Sequence, residues 1–265
     1  MSLYQINGHM LHVEIQGEPG NPGVVLLHHG LGSVRAWRDS LPVLAHAGYF
    51  TVAYDRWGYG GSEPRSQLSM PYFQQDLQDL SVLLDRLSME TAALVGHSDG
   101  GTIALYYAAQ HSKRVTALVS IAAHIYVEPK MGPGIEGVRQ AYETDERFQQ
   151  GLRRLHADKT DSVFYNWFNG WTARPENLAW DMRPVLRNIR CPSLIIQGIE
   201  DEHATPQHAR DIAEAIPGAR LWLAPGAAHM LPQEQPELFN RRLLEFLGET
   251  QKNHPLQKER NLNVQ

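Results

Sequence analysis

The strongest constraint on the fold of this chain is an alternation. The apolar runs GVVLLHH, FTVAYD, TAALVGH, VTALVSIAA, SLIIQG and RLWLAP are short and continuous, and each ends in a turn signal. Such runs suit strands buried on both faces, as in a parallel sheet. Between them lie segments with apolar residues at spacings of three and four, over 36–47, 72–87, 101–110, 207–215 and 236–247, which predict helices packed along one stripe. Strand alternating with helix gives an α/β fold. Two further β-patterned stretches, LYQI and LHVEIQG, come first, and the NGH between them is a hairpin signal.

The alternation breaks once, between Ala123 and Pro184. That stretch is rich in Trp and Tyr, has helical patterns and contains no strand core. It predicts a helical cap at 124–183, inserted between core segments 1–123 and 184–249. After Leu247 the chain turns polar and lacks aromatic residues, so 250–265 is expected to be a disordered tail.

Composition narrows the partners. The formal charge is -5, from 24 basic and 29 acidic residues, with no sustained basic run, which argues against nucleic acid and anionic membrane surfaces. The N-terminus lacks a basic segment followed by a long apolar one, so no secretory signal is expected. The apolar runs fall far short of the roughly 20 residues that span a bilayer. Cys191 is the only cysteine, so no intrachain disulfide forms and the expected home is cytoplasmic. Oligomeric state leaves no mark on the sequence.

The chemistry centres on LVGHSDGG. A G-x-S-x-G pattern between a strand and a helix fits a sharp turn that presents a hydroxyl, here Ser98, at the sheet edge. A helix start capped by Ser98 and Asp99 fits the same five residues. A nucleophilic serine needs a base, and of the 13 histidines His229 is best placed, in the loop after the last strand candidate. His28, His29 and His97 read as backbone or packing residues, and His203 and His208 as rim residues. The base needs a carboxylate, and IEDEH offers Glu200, Asp201 and Glu202. No cluster of metal-ligating residues appears and no glycine-rich turn ends in Gly-Lys-Ser/Thr, so neither a metal, a P-loop nor another cofactor is expected.

Taken in order, LLHHGLGS, AYDRWGYGGS, GHSDGG, QGIEDEHATP and APGAAHM resemble the α/β-hydrolase superfamily over nearly the whole of 1–247. The resemblance implies an eight-stranded, mostly parallel sheet flanked by helices, with the cap after strand 6. It implies a Ser98, Asp201, His229 triad, since Asp201 has the family's order and its G-x-x-D spacing from Gly198, leaving Glu202 as a solvated turn residue. It also implies an oxyanion hole from the backbone N–H groups of Leu31 and Asp99. Asp55 and Arg56 fall in a segment that is mainly structural in the family. An Asp-nucleophile dehalogenase is disfavoured because Ser98 holds that position.

Asp99, HIYVEP and WFNGW are similar to the valacyclovir hydrolase (biphenyl hydrolase-like) group of α-amino-acid esterases, where the acid after the nucleophile pairs with the substrate ammonium. The function implied is cofactor-independent hydrolysis of small carboxylic esters, with α-amino-acid esters as the narrower form. Asp99, Trp167 and Trp171 are then the expected substrate-binding residues, with Phe168 and Trp180 as further cap aromatics. An acid in a helix's first turn also complements the helix dipole with no ligand present. Two alternatives share the fold: a C–C bond hydrolase of ring-fission products, whose anionic substrates Asp99 would disfavour, and a binding protein without turnover.

Overall fold

The computed structural model describes residues 2–68, 70–172, 177 and 179–252. A hairpin, β1 (Ser2–Ile6) and β2 (His9–Gln16), turns at Asn7–Gly8, where both residues take positive φ (47° and 91°) as a tight two-residue turn demands. The chain continues through β3 (Gly23–Leu27), α1 (Leu41–His46), β4 (Phe50–Tyr54), α2 (Gln74–Arg86), β5 (Ala92–His97), α3 (Asp99–Gln110) and β6 (Val115–Ile121). Helices α4 (Met131–Thr144), α5 (Glu146–His156), α6 (Thr160–Thr172) and the short α7 (Arg183–Leu186) follow. The chain then completes the sheet with β7 (Ser193–Gly198), α8 (Gln207–Ala215), β8 (Arg220–Ala224), α9 (Leu231–Glu234) and α10 (Pro236–Lys252).

The eight strands lie in the order β1-β2-β4-β3-β5-β6-β7-β8, antiparallel at β1, β2 and β4 and parallel from β4 onward. Side chains alternate across the sheet as the strand period requires. Val25, Leu27 and Leu94 face one apolar layer with α2 and α3, while Val24, Leu26 and Val95 face the other with α1 and α10. Among the described residues no helix is long and apolar enough to cross a membrane.

Three boundaries differ from expectation. The single helical pattern at 36–47 is split into a 3-10 turn, Val34–Trp37, and α1, because Pro42 lacks an N–H and tolerates only the first turn of a helix. Helix α3 starts at Asp99 rather than at Gly101. Helix α10 runs on to Lys252, past the expected start of the tail, because Phe239, Leu243, Phe246 and Leu247 hold its apolar stripe on the sheet and a docked helix continues at little cost. The rest of the expected tail, 253–265, lies outside the described residues.

The stretch between β6 and β7 is helical as expected, and its two ends meet in an isolated bridge between Tyr126 and Asp181. Trp180 Nε1 donates to Tyr106 Oη at 2.8 Å, fastening the returning chain to α3. Helix α6 packs Phe164 against Tyr142 of α4 with ring centroids 3.8 Å apart. The helical layer thus has an aromatic seam that is continuous with the apolar layer on one face of the sheet.

Candidate active site

The carboxyl ends of the parallel strands converge, which is where ligands bind in open α/β sheets. Ser98 follows β5 with φ 55° and ψ -119°, a conformation side chains avoid and which persists only when the surroundings enforce it. They do so here: Ser98 N–H donates to Ile121 O at 2.8 Å, and Thr102 N–H donates to Ser98 O at 3.0 Å. The flanking glycines are steric necessities. A Cβ on Gly96 would lie 2.1 Å from Gly100 O, and one on Gly100 would lie 2.2 Å from Leu27 O. Gly100→Ala is therefore expected to cost the upper end of the about 1–3 kcal/mol typical of overpacking, read as a lower denaturant midpoint.

His229 and Asp201 come together from β8 and β7. Gly198 permits this approach, because a Cβ there would lie 2.3 Å from the carbonyls of Ala227 and Ala228. His229 Nδ1 donates to Asp201 Oδ2 at 2.8 Å, and the carboxylate is wholly buried. Asp201 Oδ2 also accepts from Gln197 Nε2 at 2.6 Å, and Oδ1 accepts from the N–H groups of His203 and Ala204 at 2.8 and 3.0 Å. Burial alone would raise this carboxyl. The His229 hydrogen bond and charge and the two backbone donors outweigh it and hold Asp201 well below the usual carboxylate range. With a carboxylate on Nδ1, the lone pair of the neutral imidazole sits on Nε2, the edge facing away from Asp201.

His97, the residue before Ser98, donates from Nε2 to His229 O at 2.8 Å, and the two rings lie 5.2 Å apart. The backbone of the expected base is thus tied to the residue beside the expected nucleophile. No hydrogen bond joins Ser98 Oγ to His229 Nε2, a spacing common before substrate tightens such a site. The peptide N–H groups of Leu31 and Asp99 donate to no backbone or side-chain acceptor among the described residues.

Asp99 is almost fully buried, with Arg56 Nη2 3.7 Å from Oδ2. Arg56 also reaches Asp76 at 3.5 Å, and Asp76 reaches Arg65 at 3.1 Å, so four buried charges alternate in sign. Burial pushes the Asp99 carboxyl up to about 6 despite the opposing pull of Arg56. Asp99 Oδ2 and Trp167 Nε1 both crowd the face of Gly30, 2.9 and 2.4 Å from where its Cβ would stand. Trp167 thus lies over the turn after β3, beside Asp99. Trp171 sits further off, against His124 and Trp180 at ring distances of 6.3 and 5.8 Å. Phe168 stacks on Phe164 within its own helix.

One histidine departs from expectation and an unmarked one joins the site. His208 is fully buried rather than on the rim, because Nδ1 accepts from Ile125 N–H at 3.2 Å while Nε2 faces Glu128 at 3.4 Å. His203 does stand at the rim, edge-on to His229 at 4.7 Å. His28 has the expected backbone role, donating to His29 O at 2.8 Å and accepting from Arg56 N–H at 3.1 Å. His124 lies 6.1 Å from the His229 ring with Nδ1 buried and unpartnered, a neighbour the sequence did not mark. Glu202, expected as a purely solvated turn residue, accepts from His229 N–H at 3.2 Å. Among the described residues no three His, Cys, Asp or Glu side chains are grouped to hold a metal ion.

Sequence reasoning also missed Gln197, Arg56 and His156 as neighbours of the site. Gln197 carried a faint signal, a polar residue inside the apolar run SLIIQG. Asp55 keeps the structural role expected of it, accepting from Val34 N–H, Gly61 N–H and His12 Nδ1 at 2.6 to 2.7 Å.

Comparison with known proteins agrees with this architecture. The profile of the family described as alpha/beta hydrolase fold matches residues 23–179. Serine hydrolase BPHL of Homo sapiens is 30% identical over 249 residues, covering 91% of this chain and 84% of that protein. The Mus musculus protein of the same name is 29% identical with the same coverage. Among solved structures, the enol-lactonase from Burkholderia xenovorans LB400 superposes with a TM-score of 0.75 at 24% identity, covering 93% of this chain and 100% of that one. The chain therefore belongs to the α/β-hydrolase superfamily, within the group of serine hydrolases typified by BPHL.

Proposed function

We propose that the chain hydrolyses small carboxylic esters through an acyl-enzyme without a cofactor. Ser98 Oγ attacks the ester carbonyl carbon as its proton passes to His229 Nε2, and Asp201 balances the imidazolium on the far side of the ring. The Leu31 and Asp99 N–H groups receive the oxyanion. Collapse of the tetrahedral intermediate breaks the C–O bond, and His229 returns its proton to the departing alcohol. Water then attacks the acyl-serine by the same relay, releasing the acid. The observation that carries this reading is the strained Ser98 turn flanked by two undonated N–H groups, with a carboxylate-oriented imidazole tied to the adjoining residue.

Labelling with a fluorophosphonate tests it, because a binding protein with a relaxed serine does not react. The wild-type chain is expected to take the label at Ser98 and to turn over nitrophenyl acetate. Absence of both would leave the fold standing and remove the enzyme.

Within ester hydrolysis, the substrate class we favour is α-amino-acid esters, with Asp99 facing the ammonium. The support is the buried Asp99 carboxylate beside the turn after β3, whose negative charge favours a cation and disfavours anionic ring-fission products. The pH dependence follows from the sign of the Asp99 shift. Its carboxyl is raised to about 6, so below that pH it is neutral and the attraction is lost, while above it the carboxylate is present. The substrate amine loses its own proton near about pH 8. The ratio of kcat/KM for an aminoacyl ester to that for the matching simple acyl ester is expected to rise through about pH 6 and fall near about pH 8. Taking the ratio cancels the titration of the relay itself. Asp99→Asn should flatten the profile; equal losses on both substrates would remove the amine from the reading.

A further inference from the structure

His156 ends α5 in the helical layer, is fully buried, and is bonded at both ring nitrogens to segments outside that layer. Gly60 N–H donates to its Nδ1 at 3.0 Å. An acceptor at Nδ1 fixes the tautomer, so the ring proton is on Nε2, which donates to Leu31 O at 3.0 Å. One imidazole thus spans the helical layer, the turn after β4 and the oxyanion turn after β3. We propose that His156 is a positioning residue for ester hydrolysis, fixing the Leu31–Gly32 peptide by its carbonyl and so, through the Leu31 Cα, limiting the orientation of the Gly30–Leu31 peptide whose N–H is aimed at the oxyanion.

The local sequence explains why such a tether is needed. Leu31 stands between Gly30 and Gly32, and glycines give the backbone on either side unusual freedom. The turn is closed by Gly32 N–H donating to His29 O at 3.0 Å, and its far end is held by Val34 N–H on Asp55. Those bonds fix the ends of the turn. His156 is the side chain that holds the Leu31 carbonyl itself, and so restrains the residue whose N–H must point into the site. Burial holds the His156 pKa below the usual histidine value, keeping the ring neutral and able to accept from Gly60. Nearby, Lys159 Nζ donates to Tyr59 O at 3.2 Å and to Ser62 O, so the helical layer has a second attachment to the same turn that does not touch Leu31.

This inference rests on Leu31 as an oxyanion donor, and the test separates the two. Three variants of the full chain serve. His156→Gln carries an acceptor and a donor on neighbouring atoms and can serve both partners. His156→Asn places an acceptor near the Nδ1 position but falls short of Leu31 O. Lys159→Met removes the second attachment only. The readouts are kcat and KM on nitrophenyl acetate, the rate of fluorophosphonate labelling, and the melting temperature.

His156→Asn is expected to lose about 10²-fold in kcat and in labelling rate with KM little changed, the size of effect that a small misplacement produces. His156→Gln should recover most of both rates, and Lys159→Met should lower the melting temperature without slowing the chemistry. A folded His156→Asn chain as fast as wild type overturns the proposal. So does a His156→Gln chain that folds normally but stays as slow as His156→Asn, since ring shape rather than the two bonds would then be responsible. If His156→Asn does not fold, the Gln and Met variants decide: fast Gln with fast Met supports the tether, and slow Gln removes it. A wild-type chain that neither turns over ester nor takes the label overturns the reading of the whole site, and the tether's role with it.

Discussion

Ser98→Ala is expected to abolish ester turnover, with a loss on the order of 10⁶ in kcat, while leaving the fold in place. Both halves of the expectation come from the same few atoms. The hydroxyl makes no hydrogen bond among the described residues, so removing it breaks no such interaction and leaves no partner buried without a mate. Alanine keeps the Cβ, so the positive φ of 55° is no more strained than it already is. A change of less than about 0.5 kcal/mol in stability follows, as for substitutions that touch no special feature. The chemistry, by contrast, loses the atom that bonds to carbon. The proposed Leu31 and Asp99 N–H donors remain, so a residual rate above that of water is expected. The measurement is single-turnover kinetics on a nitrophenyl ester beside a urea melt of the same sample. A variant that melts like wild type and still shows a burst of nitrophenol would remove Ser98 from the nucleophile's place.

Most of the scaffold was legible because its signals are local. All eight strand candidates are strands; those of the sheet centre are short apolar runs bounded by burial on two faces, and the first two are marked by the hairpin turn between them. The hairpin was marked by Asn7–Gly8, and the nucleophile turn by glycines that the packing of β5, α3 and β3 makes obligatory. Boundaries failed where one residue competes with a longer pattern. Pro42 splits a stretch whose apolar spacing is continuous, and α10 outlasts its apolar stripe because a helix already nucleated and docked extends without a new nucleation cost.

The site was legible only to the extent that its parts lie at strand ends. Ser98 follows β5 directly, and Asp201 and His229 stand in the loops that leave β7 and β8, so placing the strands brings these three into one region. Arg56 and Asp99 are separated by 43 positions in sequence and meet only because β4 and β5 flank β3, a fact of strand order that apolar runs do not encode. His156 was invisible for a related reason. In RRLHADK nothing distinguishes a histidine that will be buried from one that will be solvated, and its two partners are 96 and 125 residues away. His208 was misplaced by the same blindness: a histidine at the start of an amphipathic helix looks exposed until the facing Ile125 and Glu128 are known. Long-range polar contacts are set by topology, whereas burial periodicity is set by the chain itself.

Asp201→Asn is expected to lower kcat by about 10⁴ with little change in structure, and the reason lies in which atoms surround the carboxylate. Four donors converge on Asp201: His229 Nδ1 and Gln197 Nε2 on Oδ2, and the backbone N–H groups of His203 and Ala204 on Oδ1. An asparagine must turn its NH₂ toward one of these pairs. The backbone N–H groups cannot become acceptors, so the amide oxygen stays with them and the NH₂ replaces Oδ2. There Gln197 can flip its amide, and His229 can accept only by moving its proton from Nδ1 to Nε2. The imidazole then presents an N–H to Ser98 where a lone pair is required, and the general base is lost without any side chain leaving its place. Loss of a paired carboxylate also removes a pH-dependent contribution to stability. Because the folded-state pKa of Asp201 lies below its unfolded value, that contribution is fully present above the ordinary carboxylate range and fades as pH falls through it. The wild-type melting temperature should therefore drop more steeply on acidification than that of Asp201→Asn. Kinetics on nitrophenyl acetate and melting curves from neutral pH down to about pH 3 check both statements. If Asp201→Asn retains near-normal kcat, another acid orients His229, and Glu202, which accepts from the His229 backbone N–H, becomes the residue to replace next.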